Sequence, residues 1–133
     1  MAVWGIGAYY KGSEKADKTD DFLLKEKAYL GWSETEAPAL HRMFDSIKAG
    51  DIIYIKSFAL STRKMIIKAV GLVTDTKKEL DSLGIGICVK WKEDFSEITV
   101  EVSEDIYRNN VFNNTLYEEY NPKIIKEIIK SIL

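Results

Sequence analysis

Two apolar stretches, DIIYIKS at residues 51–57 and KMIIKAVGLVT at residues 64–74, decide how this chain folds. Each has the length and character of a strand, and the loop FALSTR joins them, so we predict a hairpin. Upstream, Ser33 and Glu36 have the spacing of a capping box, and Pro38 suits a first helical turn. Apolar residues at helical spacing follow as far as Gly50, which favours a left-handed helix end. We therefore predict a helix over residues 33–50.

The rest of the chain adds further strands and two more helices. Strands are predicted over residues 2–10, 28–32, 84–92 and 97–102. A short helix is predicted from Thr19 or Asp20, and a terminal helix from Asn121 as N-cap and Pro122 as first residue. The length of 133 residues and the even spread of prolines and charge predict a single domain over residues 1–133. Because hairpins join most of its strands, we predict the α+β class. We expect a small, bent antiparallel β-barrel with helices packed at its ends.

Composition limits the classes of function. The 133 residues carry 19 Lys and Arg against 21 Asp and Glu, a net charge of -2, which argues against wrapping of long duplex DNA. One cysteine and one histidine argue against a zinc site, and the sequence implies neither a metal nor a cofactor. No apolar run approaches the ~20 residues of a membrane span, and the N-terminus does not resemble a signal peptide, so we expect a cytoplasmic protein that does not bind membranes.

Four stretches together resemble a PUA-like domain of the EVE and YTH type. They are Val3-Trp4-Gly5, the pair Gly31-Trp32, the turn IKAGD at residues 47–51 with its strand, and KAVGLV at residues 68–73. The resemblance covers residues 1–75 and implies a non-catalytic binding module. Such domains take a nucleobase of DNA or RNA, often modified or flipped, into an aromatic pocket at the mouth of the barrel.

The resemblance assigns pocket positions to Trp4, Trp32, Lys56, Ser57 and Phe58. Here Lys56-Ser57 replaces the family's usual aromatic-x-His-Ser strand end. We add Tyr9 and Tyr10 because they end a strand beside a polar loop. As strand neighbours they face opposite sides, so we expect at most one in a given pocket. A locally basic stretch is predicted to contact nucleic-acid phosphates through Arg63, Lys64 and Lys68.

Other interpretations of the same residues stay open at this point. Trp4 and Trp32 are alternatively core residues, and the basic stretch is alternatively a surface loop. Asp17, Asp20 and Asp21 are interpreted as a solvated loop and helix start. The pocket alternatively takes a free nucleotide or a nucleotide-derived signal, or the chain is a protein-interaction or inhibitor module. An enzyme is not predicted, because no nucleophile–base pair, metal cluster or phosphate loop is recognisable.

Overall fold

A computed structural model describes residues 1–59, 64–101 and 115–133, without the side chain of residue 59. Within these ranges the chain forms seven strands and three helices. The strands are β1 (Val3–Gly7), β2 (Lys27–Leu30), β3 (Ile52–Ala59), β4 (Lys64–Asp81), β5 (Gly84–Trp91), β6 (Ile98–Glu101) and β7 (Leu116–Glu118). The helices are α1 (Thr19–Lys25), α2 (Pro38–Asp45) and α3 (Pro122–Ile132). No helix in the described part is long and apolar enough to cross a membrane.

The strands form one curled sheet in the order β2-β5-β4-β3-β1-β7. Strand β6 pairs with the first part of β4, and β5 pairs with the second part. The predicted antiparallel pairing of β3 with β4 is confirmed. The predicted α+β class with a bent sheet is confirmed, but β1 and β3 run parallel and the described strands form an open half-barrel instead of an antiparallel barrel.

Helix α2 is shorter than predicted, although its capping box forms. The Ser33 hydroxyl oxygen accepts from the Glu36 N–H at 3.1 Å, and a Glu36 carboxylate oxygen accepts from the Ser33 N–H at 3.2 Å. These bonds close a turn ahead of the helix, which begins at Pro38. Gly50 has the expected positive φ of +92°, but it lies in a turn beyond the helix, where the Asp51 N–H bonds the Lys48 carbonyl.

The ends of the other elements follow local signals more closely. Helix α1 begins at Thr19, as predicted. The Asn121 side chain caps α3 by accepting from the Lys123 N–H at 2.9 Å, as its N-cap position predicts. Strand β4 runs seven residues past its predicted end, because residues 75–81, which are polar except for Leu80, continue the pairing with β5 through two irregularities in register.

Apolar residues cover both faces of the sheet. Along β3, Ile53 and Ile55 contribute to one buried cluster, whereas Ile52 and Tyr54 contribute to the other. Helices α1 and α2 add Phe22 and Phe44 to the first cluster. Helix α3 adds Ile124 and Ile128 to the second. The alternation of side chains along each strand thus places α1 and α2 on one face and α3 on the other.

Candidate ligand site

Two neighbouring cavities lie where β1 ends against β3. Gly7, the last residue of β1, is opposite Lys56, and both cavities are lined by Gly7, Tyr9 and Lys56. The aromatic cavity, of about 390 Å³, adds Tyr10, Lys11, Gly31, Trp32, Glu36 and Thr115. The polar cavity, of about 360 Å³, adds Ala8, Asp17, Thr19, Ser57, Phe58 and Lys68.

Trp32 is a half-exposed wall of the aromatic cavity. Its side chain is fixed by a hydrogen bond from the indole Nε1 to the Thr115 hydroxyl at 3.1 Å. Its carbonyl oxygen is 2.6 Å from the Nε2 of the buried His41. The residue is 50% exposed, although a tryptophan usually gains free energy by burial. The structure therefore presents an aromatic face that is held in place and open to solvent.

The aromatic cavity is also lined by residues next to the first strand and the last strand of the sheet. Trp32 follows β2, which is the first strand of that order, and Thr115 precedes β7, which is the last. The Thr115 carbonyl accepts from the Gly7 N–H at 2.8 Å. The hydrogen bond between Trp32 and Thr115 thus joins residues beside opposite edges of the half-barrel.

Tyr9 and Tyr10 both line the aromatic cavity, contrary to the expectation that only one of them would. The regular strand β1 ends at Gly7, and Tyr9 makes an isolated bridge with Asp17, so strand alternation no longer applies. The Tyr10 hydroxyl donates to the Leu83 carbonyl. Its ring approaches the backbone of Gly31, where an added Cβ would be 2.9 Å away. Tyr10 is consequently fixed, whereas Tyr9 is 72% exposed.

Lys56 lies between the two cavities. Its ammonium is 5.7 Å from the centre of the Tyr117 ring, within the range of a cation–π contact. Burial lowers the pKa of Lys56 to about 8, because the charged form loses hydration. Lys56 therefore places its ammonium group at the boundary of both cavities.

The polar cavity contains an ion pair between Lys68 of β4 and Asp17. Asp17 also accepts from Thr19, from its hydroxyl at 2.6 Å and from its N–H at 3.0 Å. Burial alone raises the pKa of Asp17, but the bonds from Lys68 and Thr19 outweigh it and lower the pKa to about 2. Asp17 is therefore a structural anion at neutral pH, whereas the sequence pattern indicated a solvated loop residue.

The structure brings together most of the predicted site residues. Tyr10 and Trp32 line the aromatic cavity, Ser57, Phe58 and Lys68 line the polar cavity, and Tyr9 and Lys56 line both.

Trp4 and Lys64 lie elsewhere. Trp4 is a core residue that is 4% exposed, and its indole donates to the Asp51 carboxylate at 2.9 Å. Its assignment to the pocket is corrected accordingly. Lys64 is an exposed residue at the start of β4 that lines neither cavity. Arg63 lies outside the described residues.

Eight of the residues that line the two cavities were not predicted as site residues: Gly7, Ala8, Lys11, Asp17, Thr19, Gly31, Glu36 and Thr115. Thr115 follows a stretch without a strand signal, and only its pairing beside β7 brings it to Trp32. Gly31 belongs to the family-like pair Gly31-Trp32, but its packing against Tyr10 depends on contact between residues that are far apart in the chain. The capping-box spacing predicts the reciprocal hydrogen bonds between Glu36 and Ser33. The same spacing does not predict that Glu36 lines the aromatic cavity.

Neither the comparison with protein families nor the comparison with curated proteins finds a match. Within residues 1–59, 64–101 and 115–133, no group of three or more His, Cys, Asp or Glu side chains is arranged to hold a metal ion.

Proposed function

We propose that this chain is a non-catalytic binding module, of PUA-like type, that takes a nucleobase of DNA or RNA into the aromatic cavity. The observation that carries the proposal is the half-exposed Trp32, which is held at the cavity wall by Thr115 and His41. Stacking of a base on an aromatic side chain contributes ~1–3 kcal/mol. Tyr9 and Tyr10 provide further aromatic surface around the same space.

The polar groups of the cavity suit the edge of a base. Lys56 and Lys11 carry donors, Glu36 carries acceptors, and the Thr115 hydroxyl supplies either role. A base extruded from a strand presents both donors and acceptors on its edge. The curled sheet and the position of the cavity beside the end of β1 also support a PUA-like module, since the resemblance implies a pocket at that place.

The test is quenching of tryptophan emission by a panel of ligands. The panel contains modified and unmodified oligonucleotides, single-stranded and duplex, and free nucleotides. We expect saturable quenching by one class of base, with a salt dependence that corresponds to few phosphate contacts. Trp32→Ala should weaken binding by about tenfold or more, since it removes a stacking platform. Lys64→Ala should have a smaller effect at high salt.

Tyr120→Ala is the matched control for loss of an exposed aromatic ring. Tyr120 is 73% exposed and lines neither cavity, so its removal should leave binding unchanged. Absence of quenching by every ligand of the panel would refute the proposal. Equal losses for Trp32→Ala and Lys64→Ala at all salt concentrations would refute a stacking pocket.

A free nucleotide or nucleotide-derived signal is the second candidate ligand. The observation that favours it is the net charge of -2, because binding along a polynucleotide usually depends on a basic surface. Quenching by free nucleotides without quenching by oligonucleotides would favour this candidate.

A further inference from the structure

The turn that precedes α2 places a carboxylate beside the exposed ring of Trp32. Trp32 and Glu36 lie four residues apart, and both line the aromatic cavity. The Ala37 N–H donates to the Ser33 carbonyl at 2.9 Å, which closes the turn. One short segment of backbone therefore holds both the stacking surface and the carboxylate.

The Glu36 carboxylate keeps hydrogen-bond acceptors for a ligand. Its Oε1 accepts from the Ser33 N–H at 3.2 Å. In the part of the chain that the structure describes, Glu36 takes part in no ion pair. Hydrogen bonding with Ser33 lowers the pKa of Glu36 below its ordinary value, so the group is ionised at neutral pH. An ionised carboxylate accepts at both oxygens and donates nothing.

Lys11 supplies the opposite chemistry to the same cavity. It is an exposed residue of the loop after β1, and it lines the aromatic cavity with Glu36. Its ammonium donates hydrogen bonds and accepts none. No ion pair joins Lys11 to Glu36 within residues 1–59, 64–101 and 115–133. The cavity therefore presents an acceptor group and a donor group that are not satisfied by each other.

Guanine is the standard base whose edge matches these two groups. Its ring N–H and its exocyclic amine are adjacent donors, and its carbonyl oxygen lies next to them as an acceptor. The amines of adenine and cytosine each lie beside an acceptor ring nitrogen, and the ring N–H of uracil or thymine lies between two carbonyl oxygens. A carboxylate therefore finds two adjacent donors on guanine alone and meets an acceptor on each of the others.

We propose that the aromatic cavity selects guanine, which stacks on Trp32 while Glu36 accepts from its ring N–H and exocyclic amine and Lys11 donates to its carbonyl oxygen. This inference rests on the proposed function and names the base for the same site. Hydrogen bonds to ionised groups are the stronger ones. A site that bonds an N–H of its ligand discriminates against an analogue without that N–H, because its own polar group then loses a partner.

The experiment measures tryptophan quenching by guanosine, inosine, adenosine and cytidine 5′-monophosphates, which share one sugar and one phosphate. Inosine differs from guanosine only in lacking the exocyclic amine. We expect guanosine monophosphate to bind about tenfold more tightly than inosine monophosphate, and more tightly still than the other two. Replacement of guanosine by inosine in a short single-stranded oligonucleotide tests the same contact within a strand.

Glu36→Gln should remove the preference for guanosine over inosine monophosphate. Glu34→Gln is the control matched in charge and size, since Glu34 is exposed and lines neither cavity, and it should keep the preference. Ser33→Ala removes the hydroxyl that accepts from the Glu36 N–H but leaves the carboxylate, so it should also keep the preference. An equal loss in Ser33→Ala and Glu36→Gln would show that Glu36 acts only through the turn, which overturns the inference.

Lys11→Met provides a second readout. It should weaken the binding of guanosine and inosine monophosphates by a similar factor, because both bases carry the carbonyl oxygen. It should leave adenosine monophosphate unaffected, because adenine lacks that oxygen. Equal weakening of all the monophosphates would assign Lys11 to the phosphate and overturn its part in selecting the base.

The outcomes separate this inference from the base-binding proposal. A guanine preference among the monophosphates identifies a free nucleotide, whereas a preference seen only in oligonucleotides identifies a base within a strand; both support the inference. Equal binding of all bases, or a guanine preference that Glu36→Gln leaves unchanged, overturns the inference and leaves base binding intact. Absence of quenching by every monophosphate and oligonucleotide refutes base binding, and the inference with it.

Discussion

Asp51 ties the start of the chain to the turn before β3. Its carboxylate accepts from the Ala2 N–H at 3.0 Å, the Trp4 indole at 2.9 Å and the Lys48 N–H at 2.9 Å. The side chain is buried, at 7% exposure. These bonds give the family-like Gly-Asp turn a structural role, and they explain why Trp4 packs in the core instead of lining a cavity.

Asp51→Asn should lower the free energy of unfolding by about 2 kcal/mol at neutral pH. The amide nitrogen of asparagine cannot accept the hydrogen bonds that the second carboxylate oxygen of Asp51 accepts from Trp4 and Lys48. Urea denaturation measures the change. Asp75→Asn is the matched control, since Asp75 is exposed and accepts from the Lys77 N–H. The control should change stability by less than about 0.5 kcal/mol. An equal effect of the two substitutions would contradict the role given to Asp51.

The stability contributed by Asp51 should depend on pH. Burial alone raises the pKa of Asp51, but the bonds from Ala2, Trp4 and Lys48 outweigh it and hold the pKa below its usual value. A carboxyl whose pKa is lowered by folding stabilises the protein above its unfolded pKa of about 3.9 and loses this contribution as the pH falls. The difference between wild type and Asp51→Asn should therefore narrow below about pH 4.

At the scale of single elements, local signals predict the elements whose stabilising contacts are also local. The caps and apolar stripe of α3 depend on residues within a few positions, and the predicted helix is confirmed. The apolar runs of β3, β4 and β5 are long enough to be recognised alone. Strand β7 has three residues, and only its pairing with β1 defines it.

Contacts between distant residues set the features that the sequence did not predict. The parallel pairing of β1 with β3 joins residues about fifty positions apart, such as Val3 and Ile52. The sequence pattern of a strand does not show whether it pairs with its neighbour in parallel or antiparallel direction. Trp4 and Trp32 are the same residue type near strand ends. Trp4 is buried and Trp32 is half-exposed because of their contacts with Asp51 and Thr115, which are 47 and 83 positions away, respectively.

The pairing of β2 with β5 depends on close contact at a glycine. Gly86 lies opposite Tyr29, and an added Cβ would be 2.6 Å from the Tyr29 ring. That ring is buried against Phe22, with centroids 5.4 Å apart, and its hydroxyl donates to Asp81 at 2.7 Å. The ring therefore has little room to move.

Gly86→Ala should destabilise the protein by about 1–3 kcal/mol, because the new methyl group overpacks the Tyr29 site. Thermal or urea unfolding measures this. Gly7→Ala is the control for alanine in a strand, since the nearest atom to its Cβ is 3.8 Å away. Comparable stability of Gly86→Ala and wild type would show that the Tyr29 ring relocates easily.

For the whole molecule, the two buried clusters share one sheet. Strands β1, β3 and β4 contribute residues to both clusters. Loss of packing on one face therefore affects the same strands that support the other face, and we expect the domain to unfold as one cooperative unit.

Ile128→Ala should test this coupling. Ile128 of α3 is fully buried in the second cluster, and its truncation should lower stability by about 2–4 kcal/mol. Tryptophan emission, to which Trp4 and Trp91 of the first cluster contribute, and far-UV circular dichroism should show the same shifted urea midpoint. Leu133→Ala, at a residue 93% exposed, should leave the midpoint unchanged. Separate midpoints for the two signals would indicate independent units.

The hydrogen bond between Trp32 and Thr115 has a consequence for the order of events during synthesis. The chain is made from its N-terminus, so Trp32, Tyr9 and Lys56 leave the ribosome well before Thr115 and β7. Until Thr115 arrives, the indole has no hydroxyl partner and Gly7 has no carbonyl to bond. The aromatic cavity is thus completed only after residue 115 has emerged, and a chain truncated before that residue should lack this part of the cavity wall.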